Sequence, residues 1–460
     1  MPKIPVIAVF DIGKTNKKML LFSEQYNLLD QRSERTEELL DEDGFPSDDL
    51  MAIQRFVFSN LDWIINHGSF ELKAVNFSAY GASFVHIGAD GRPIAPLYNY
   101  LKPFSQALLD EFLEKYGGPS VWSRETASPV LGSLNSGLQL YRLRKEKPEI
   151  YRSIKYSLHL PQWLSYLLTR KPASDPTSIG CHTGLWDFVK QDYHTWVKQE
   201  GIDKKLAPIV PSTHQETVEY KGQRMVCGVG LHDSSAALVP YFQKQPDEPF
   251  ALISTGTWCI TLNPFNNEPL TDDKLLADCL CYLSYKGQPV KASRLFAGQE
   301  HDTQVKRIAA HFGIDPHDLS DIQFNETLAK SLKSPEDRHP VPLPEQIKQG
   351  QVDQDIVYSI PWTPGQPLIE GLRFRRRPLA GFSSVVEAYH QLMIDLVELQ
   401  LISMNYVVGK DISLVYIDGG FSRNECFLSL LRDARPDIRF VPSDLAQASA
   451  LGAAMTLQTA

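Results

Sequence analysis

The sequence predicts an α/β protein built as two related halves, and three observations carry that expectation. Two segments, VIAVFDIGKTNKKMLLF (Val6 to Phe22) and FALISTGTWCITLNPF (Phe250 to Phe265), repeat one pattern of apolar strand, tight Gly/Thr turn and second apolar strand. Strands alternate with longer helical patterns in both halves, as they do where sheets are mainly buried. At 460 residues the chain exceeds what one core can serve, so two or three domains are expected.

Taken in order, Val6 to Phe10 is a β-branched and aromatic run leading into a turn at Gly13, where a missing Cβ lets backbone N–H groups approach a ligand. Thr15 follows at once. KAVNFSAYG (Lys73 to Gly81) reads as a strand, and SGLQLYRLRKEKPEIYR as a helix stopped at Pro148. The polar, proline-bearing stretch YFQKQPDEPF (Tyr241 to Phe250) is the best boundary, giving domains 1–243 and 244–460. In the second half, Leu252-Ile253 enters the turn at Gly256, flanked by Thr255 and Thr257. SPEDRHPVPLPEQIKQGQVDQD (Ser334 to Asp355) reads as a surface excursion. The long pattern from Ser383 carries Val385, Tyr389, Leu392, Leu396 and Leu399 on one face, with Gly409 expected as its C-cap. The strand SLVYIDGGF comes next.

Composition narrows the class. Apolar residues make up 43% and charged residues 22%, ordinary for a globular chain. A net charge of −9 argues against nucleic acid or an anionic membrane as the partner. The six cysteines are scattered and read as thiols in a reducing compartment; Cys279 and Cys281, alternating in DCLCYL, read as strand core rather than a zinc site. MPKIPVIAVFD enters a strand without a leader-like apolar region, so a cytoplasmic location is expected.

The motifs DIGKTNKK (Asp11 to Lys18), STGTW (Ser254 to Trp258) and IDGGFSRN (Ile417 to Asn424) occur in the order found in the FGGY carbohydrate kinases, and the chain resembles that family from Val6 onward. Two more segments strengthen the likeness: LGSLNSGLQLYRLRKEKPEIY before SDPTSIGCHTGLWDF, and GVGLHDSSAAL. The resemblance implies two ribonuclease-H-like domains of the actin and hexokinase type with a cleft between them. It also implies ATP with Mg²⁺ as cofactors and a small-molecule sugar as substrate. A chaperone-like or cytoskeletal ATPase would share the nucleotide motifs without a sugar-side base, and a catalytically silent relative is a further alternative. The oligomeric state is open, a homodimer among the options.

Residue by residue, the resemblance assigns Asp11 to Mg²⁺ through water. Backbone around Gly13, Lys14, Thr15 and Asn16, and around Thr255, Gly256 and Thr257, is assigned to the phosphates. Gly419, Gly420 and Asn424 are assigned to the adenosine, with Gly298 on the same side. Asp233 of Gly230-Leu231-His232-Asp233 is the general base that takes the sugar hydroxyl proton; the competing reading is an N-cap of SSAALVPYF. Gly81, Ser83, Asn135 and His232 are placed on the sugar side, His232 equally well as a hydrogen-bonded structural group; Lys14 and Lys18 offer positive charge on the first loop, and Lys17 and Lys18 read equally well as a solvated strand face.

HDSSAA resembles rhamnulose kinases, and Thr15-Asn16 followed by Lys18 resembles fuculose kinases, pointing to a 6-deoxyketohexose. Ser83 stands where those kinases have an aspartate, Asn99-Tyr100 where a tryptophan and a polar partner are usual, Phe421 where a third glycine is common and Gln447 where glutamate is usual. These departures keep a xylulose-type ketopentose open as an alternative substrate.

Overall fold

The computed structural model describes residues 2–244, 248–332, 367–443, 445 and 447–457. It forms two compact units: Met1–Pro246 with Cys281–Pro289 and Ala446–Ala460, and Asp247–Leu280 with Val290–Leu445. The excursion expected at Ser334 to Asp355 lies outside the described residues.

In the first unit the run Ile4–Ile12 is a central strand because Val6 to Phe10 are fully buried on both of its faces. It pairs parallel with Phe70–Ala79 and antiparallel with Lys17–Ser23. The sheet continues outward to Leu28–Glu34 on one side and to Gln223–Gly228 and Gln215–Tyr220 on the other. The short strand Leu231–His232 also pairs parallel with Phe70–Ala79. Helix Leu50–Asn66 starts where Asp49 accepts from the N–H groups of Met51 and Ala52, an N-cap. It buries Ile53, Phe56, Val57, Leu61 and Ile64, and Phe10 stacks on Phe77 at 5.8 Å and meets Phe56 edge-on at 6.1 Å.

Helix Asp233–Lys244 packs against the last helix, Ala448–Met455, closely enough that a Cβ on Gly452 would lie 1.8 Å from the Ala236 carbonyl oxygen. The division between the units at Pro246/Asp247 falls inside the stretch Tyr241 to Phe250, a few residues after the 243/244 bound, because Tyr241 is fully buried and residues 241–244 close this helix. A second core gathers Phe112, Trp122, Tyr141 and Trp196, with Phe112 edge-on to Trp196 at 5.1 Å. Pro148 ends helix Ser136–Glu146 as expected, and it also opens helix Pro148–Ser153 at a position that needs no N–H.

In the second unit Phe250–Thr255 pairs antiparallel with Cys259–Asn263 and parallel with Leu414–Gly419, and Arg439–Pro442 extends the sheet. On the far side comes Pro289–Leu295, and the strand Cys279–Leu283 is divided between the two units after Leu280. Cys279 and Cys281 are buried in that last strand, and none of the six cysteines is disulfide-bonded. Helix Val385–Asn405 is capped by Ser384, whose hydroxyl accepts from the N–H of Glu387. It stops at Tyr406, short of Gly409, so Gly409 is not its cap: Val407 and Val408 turn inward to bury apolar surface first.

Candidate functional site

Parallel strands deliver their C-terminal ends to one edge of a sheet, the edge where α/β proteins place ligands. In the first unit Asp11 stands opposite Ser78, and Leu231 also stands opposite Ser78, so Asp11, the Tyr80-Gly81 turn and His232-Asp233 emerge side by side. The Asp11 carboxyl is pushed up to about 6, first by burial and then by the charge of Asp233, with Lys18 opposing. Asp233 opens helix Asp233–Lys244, and its Oδ1 accepts from the Ser234 N–H at 2.6 Å. Its side chain is 34% exposed, open enough to meet a ligand, and Oδ1 lies 3.4 Å from His232 Nε2. The Asp11 and Asp233 carboxylates beside the Ser78 hydroxyl form a hard oxygen donor set, which suits Mg²⁺ held partly through water.

The Gly13–Asn16 turn is tight: the Gly13 N–H donates to the Asn16 carbonyl at 3.0 Å, and a Cβ there would sit 3.1 Å from the same oxygen. Lys14, expected at the phosphates, gives its ammonium to Glu38 and Asp48, each at 2.7 Å. Lys17 is corrected from a solvated strand face to a fully buried one, with Nζ 3.1 Å from Asp48 Oδ1. Lys18 donates to Gln447 Oε1 at 2.9 Å. Asn16 Oδ1 accepts from Arg35, and Thr15 stands on the turn between them. Asp48 is a residue that sequence reasoning missed; its neighbour Asp49 is the cap of helix Leu50–Asn66.

On the sugar side, Gly81 lies directly under His232: a Cβ there would come within 2.8 Å of the imidazole Cδ2. Burial of His232 holds its pKa below the usual histidine value, against the pull of Asp233. Tyr100, seen in the sequence only as a departure, packs edge-on to Tyr80 at 5.8 Å and feels the charges of Lys14 and Asp233. The other two residues are committed elsewhere. Asn135 is fully buried and its amide donates to the Ser128 hydroxyl and the His182 carbonyl. Ser83 is 1% exposed and its hydroxyl donates to the Tyr98 carbonyl at 3.0 Å. Ser83→Asp therefore sets a carboxylate against a carbonyl oxygen, and a loss of about 1–3 kcal/mol in urea unfolding is expected. Unchanged stability would show that the side chain reaches open space instead.

In the second unit a cavity of about 750 Å³ is lined by Thr255, Gly256, Thr257, Gly298, Gly420 and Asn424, six of the nucleotide-side residues read from the sequence, together with His301, Asp302, Tyr389 and Phe421. Gly419 stands just behind it with φ +83°, and a Cβ there would lie 1.7 Å from the Thr255 carbonyl oxygen. The Thr255 hydroxyl accepts from the Phe421 N–H at 3.0 Å and donates to the Asp418 carbonyl, so it braces the turn. Asn424 caps helix Glu425–Ala434 and donates to the Tyr389 hydroxyl at 2.7 Å. Phe421 stacks on Phe427 at 4.7 Å and meets His301 edge-on at 5.1 Å, so one ring face is already covered.

Gly298 begins helix Ala297–Phe312, and its added Cβ would stand 1.7 Å from the Gly256 carbonyl oxygen. Gly298→Ala must displace either that helix start or the Thr255–Thr257 turn. A destabilisation of about 1–3 kcal/mol is expected from such overpacking, with weaker ATP binding by calorimetry. Wild-type affinity and unfolding midpoint together would remove the close contact from the account.

These two sites belong to a phosphotransferase that acts on carbohydrates. Residues 6–237 match the FGGY family of carbohydrate kinases, N-terminal domain, and residues 247–333 the carbohydrate kinase FGGY C-terminal domain; the chain belongs to the FGGY family. It is 24% identical over 263 residues to a rhamnulokinase of Bacteroides thetaiotaomicron, a match covering 54% of this chain and about half, 53%, of that protein. It is 22% identical over 445 residues to a rhamnulokinase of Yersinia pestis, covering 93% of this chain and 85% of that one. Among solved structures it is similar to a carbohydrate kinase from Novosphingobium aromaticivorans, with TM-score 0.76, 22% identity and coverage of 98% and 91%. It is also similar to a xylulose kinase from Lactobacillus acidophilus, with TM-score 0.74, 14% identity and coverage of 98% and 89%. The fold class expected from the motifs, two actin/hexokinase-like domains, is the one these structures share. No helix among the described residues is long and apolar enough to cross a membrane.

Proposed function

We propose that the protein transfers the γ-phosphate of ATP to a hydroxyl of a ketose, with a 6-deoxyketohexose of the L-rhamnulose or L-fuculose type as first candidate. The observation that carries the reading is the placement of Asp233: a half-open carboxylate at a helix start, next to Asp11 and His232 at the sheet edge. A carboxylate suits this role because it takes the hydroxyl proton without adding positive charge as the oxygen attacks phosphorus. Asp11 holds Mg²⁺ through water, and a bound Mg²⁺ supplies charge neutralisation at the phosphate oxygens. Gly81 lets the His232 ring pack close to the strand end on the sugar side, and the Thr255–Thr257 turn with Gly298, Gly420 and Asn424 takes the nucleotide.

The rhamnulokinase relatives support the deoxyketohexose reading. One observation favours a second substrate, a xylulose-type ketopentose: the Ser83 hydroxyl is spent on the Tyr98 carbonyl, so the charged acceptor that rhamnulose and fuculose kinases place there is missing. An ADP-release screen with Mg-ATP against ketoses, aldoses and polyols tests both. Turnover on L-rhamnulose or L-fuculose above all other sugars is expected. A clear preference for D-xylulose selects the second reading, and ADP release no faster with any sugar than without one sinks the kinase assignment.

A further inference from the structure

Behind Asp233 lies a group of side chains of which phosphoryl transfer, as proposed above, uses His232 alone. Cys181, His182 and His232 are all buried, and one donor atom from each lies within 4.8 Å of the other two. They come from separate places: Cys181 and His182 follow the short helix Pro176–Ile179, whereas His232 ends the strand paired to Phe70–Ala79. Gly81 shows where their donors point. A Cβ built on it would stand 3.0 Å from Cys181 Sγ and 3.0 Å from His232 Nε2, so both atoms pack against the same face of that glycine. The Asp233 carboxylate is adjacent, with Oδ1 3.4 Å from the same Nε2. The other imidazole nitrogen of His232, Nδ1, is buried without a hydrogen-bond partner among the described residues, so the ring is not fully spent on structure.

We propose that Cys181, His182 and His232 form a binding site for a thiophilic transition-metal ion of the Zn²⁺ type, with Asp233 as fourth ligand, and that the bound ion switches phosphoryl transfer off. One thiolate, two imidazoles and one carboxylate are the donors a four-coordinate Zn²⁺ takes. Bonds of about 2.0–2.3 Å put tetrahedral ligands about 3.3–3.8 Å apart, so the group closes on an ion with movements on the order of an ångström. The hard ion Mg²⁺ gains nothing from a thiol or from imidazoles and stays with the oxygens at Asp11. Binding exchanges the Cys181 thiol proton for the metal and gives up the 3.2 Å hydrogen bond to the Ser178 carbonyl. The ion enters from the Asp233 side, where the cluster meets solvent, and once ligated the carboxylate can no longer accept a proton. The inhibitory half rests on Asp233 being the base; the binding half does not.

The test is to titrate Co²⁺, as a coloured stand-in for Zn²⁺, into the metal-free full-length protein without ATP, sugar or Mg²⁺. One equivalent should develop a thiolate-to-cobalt charge-transfer band with tetrahedral ligand-field bands, and Zn²⁺ should displace both. Cys181→Ser should lose the charge-transfer band, and His182→Gln should bind at least about tenfold more weakly, since even supporting groups of metal sites cost about 10–100-fold. In the kinase assay with its best sugar, Zn²⁺ should inhibit the wild type and EDTA restore it, whereas Cys181→Ser keeps basal activity and resists Zn²⁺. A Co²⁺ spectrum without a thiolate band overturns the site. Equal Zn²⁺ inhibition of wild type, Cys181→Ser and His182→Gln overturns the switch, because the ion is then acting at the Mg²⁺ position. A thiolate band in a protein that phosphorylates no sugar keeps the metal site and removes the kinase reading.

Discussion

Asp233→Asn is expected to lower kcat by about 10²–10⁴-fold while ATP binding and the unfolding midpoint stay near wild type. The amide keeps the shape of the side chain, and its oxygen can still accept from the Ser234 N–H that the carboxylate meets at 2.6 Å. The local contact at the helix start, where the sequence offered an N-cap, is therefore retained by the substitution, and only the capacity to take a proton is lost. That separation makes the variant informative: a cap costs stability when removed, whereas a base costs turnover. Steady-state kinetics with the preferred sugar, with nucleotide affinity measured alongside, decides between them. Near-normal kcat would withdraw the general base and leave Asp233 as a structural residue.

The parts legible in the sequence are those whose chemistry is local. Gly13, Gly256, Gly298 and Gly419 announce close backbone approaches, and the Cβ contacts at Gly298 and Gly419, 1.7 Å from carbonyl oxygens, show why glycine is needed there. Asp11 stands next to the end of its strand and Asp233 directly after its strand, so both acidic residues mark strand ends that the sequence already shows. The illegible parts depend on partners far along the chain. Lys17 looks like a solvated lysine until Asp48, 31 residues later, comes beneath it. Lys14 looks like a phosphate ligand until Glu38 and Asp48 occupy its ammonium. Ser83 looks like a specificity residue until the Tyr98 carbonyl, 15 residues on, takes its hydroxyl. Nothing periodic or compositional encodes such pairings, and the same holds for Asn76, whose amide reaches the Ala453 carbonyl at 2.7 Å from 377 residues away.

Asp48→Ala is expected to cost about 3–5 kcal/mol, because it leaves Lys17 buried and unpaired. Lys17 is 1% exposed; among the described residues Nζ has only the Lys14 carbonyl, at 3.0 Å, besides Asp48 as hydrogen-bond partner. Asp48 also accepts from Lys14 at 2.7 Å and from the Tyr80 hydroxyl at 2.8 Å, so one carboxylate joins the Gly13–Asn16 turn to the residue before Gly81. Burial works against its charge, but the Lys14 and Lys17 ammoniums outweigh burial and hold its pKa below the ordinary value of 3.8. With the folded value below the unfolded one, this stabilisation is complete above about pH 4 and is lost as the pH falls through the folded value. Urea unfolding near pH 7 therefore reads all of it. Asp48→Ala combined with Lys17→Met should recover much of the loss, since an apolar chain of similar length needs no counter-ion, whereas Lys17→Met alone leaves Asp48 with Lys14 and should cost less than Asp48→Ala. A double variant no more stable than Asp48→Ala would mean that the cost lies in the Tyr80 and Lys14 contacts, not in the buried charge of Lys17.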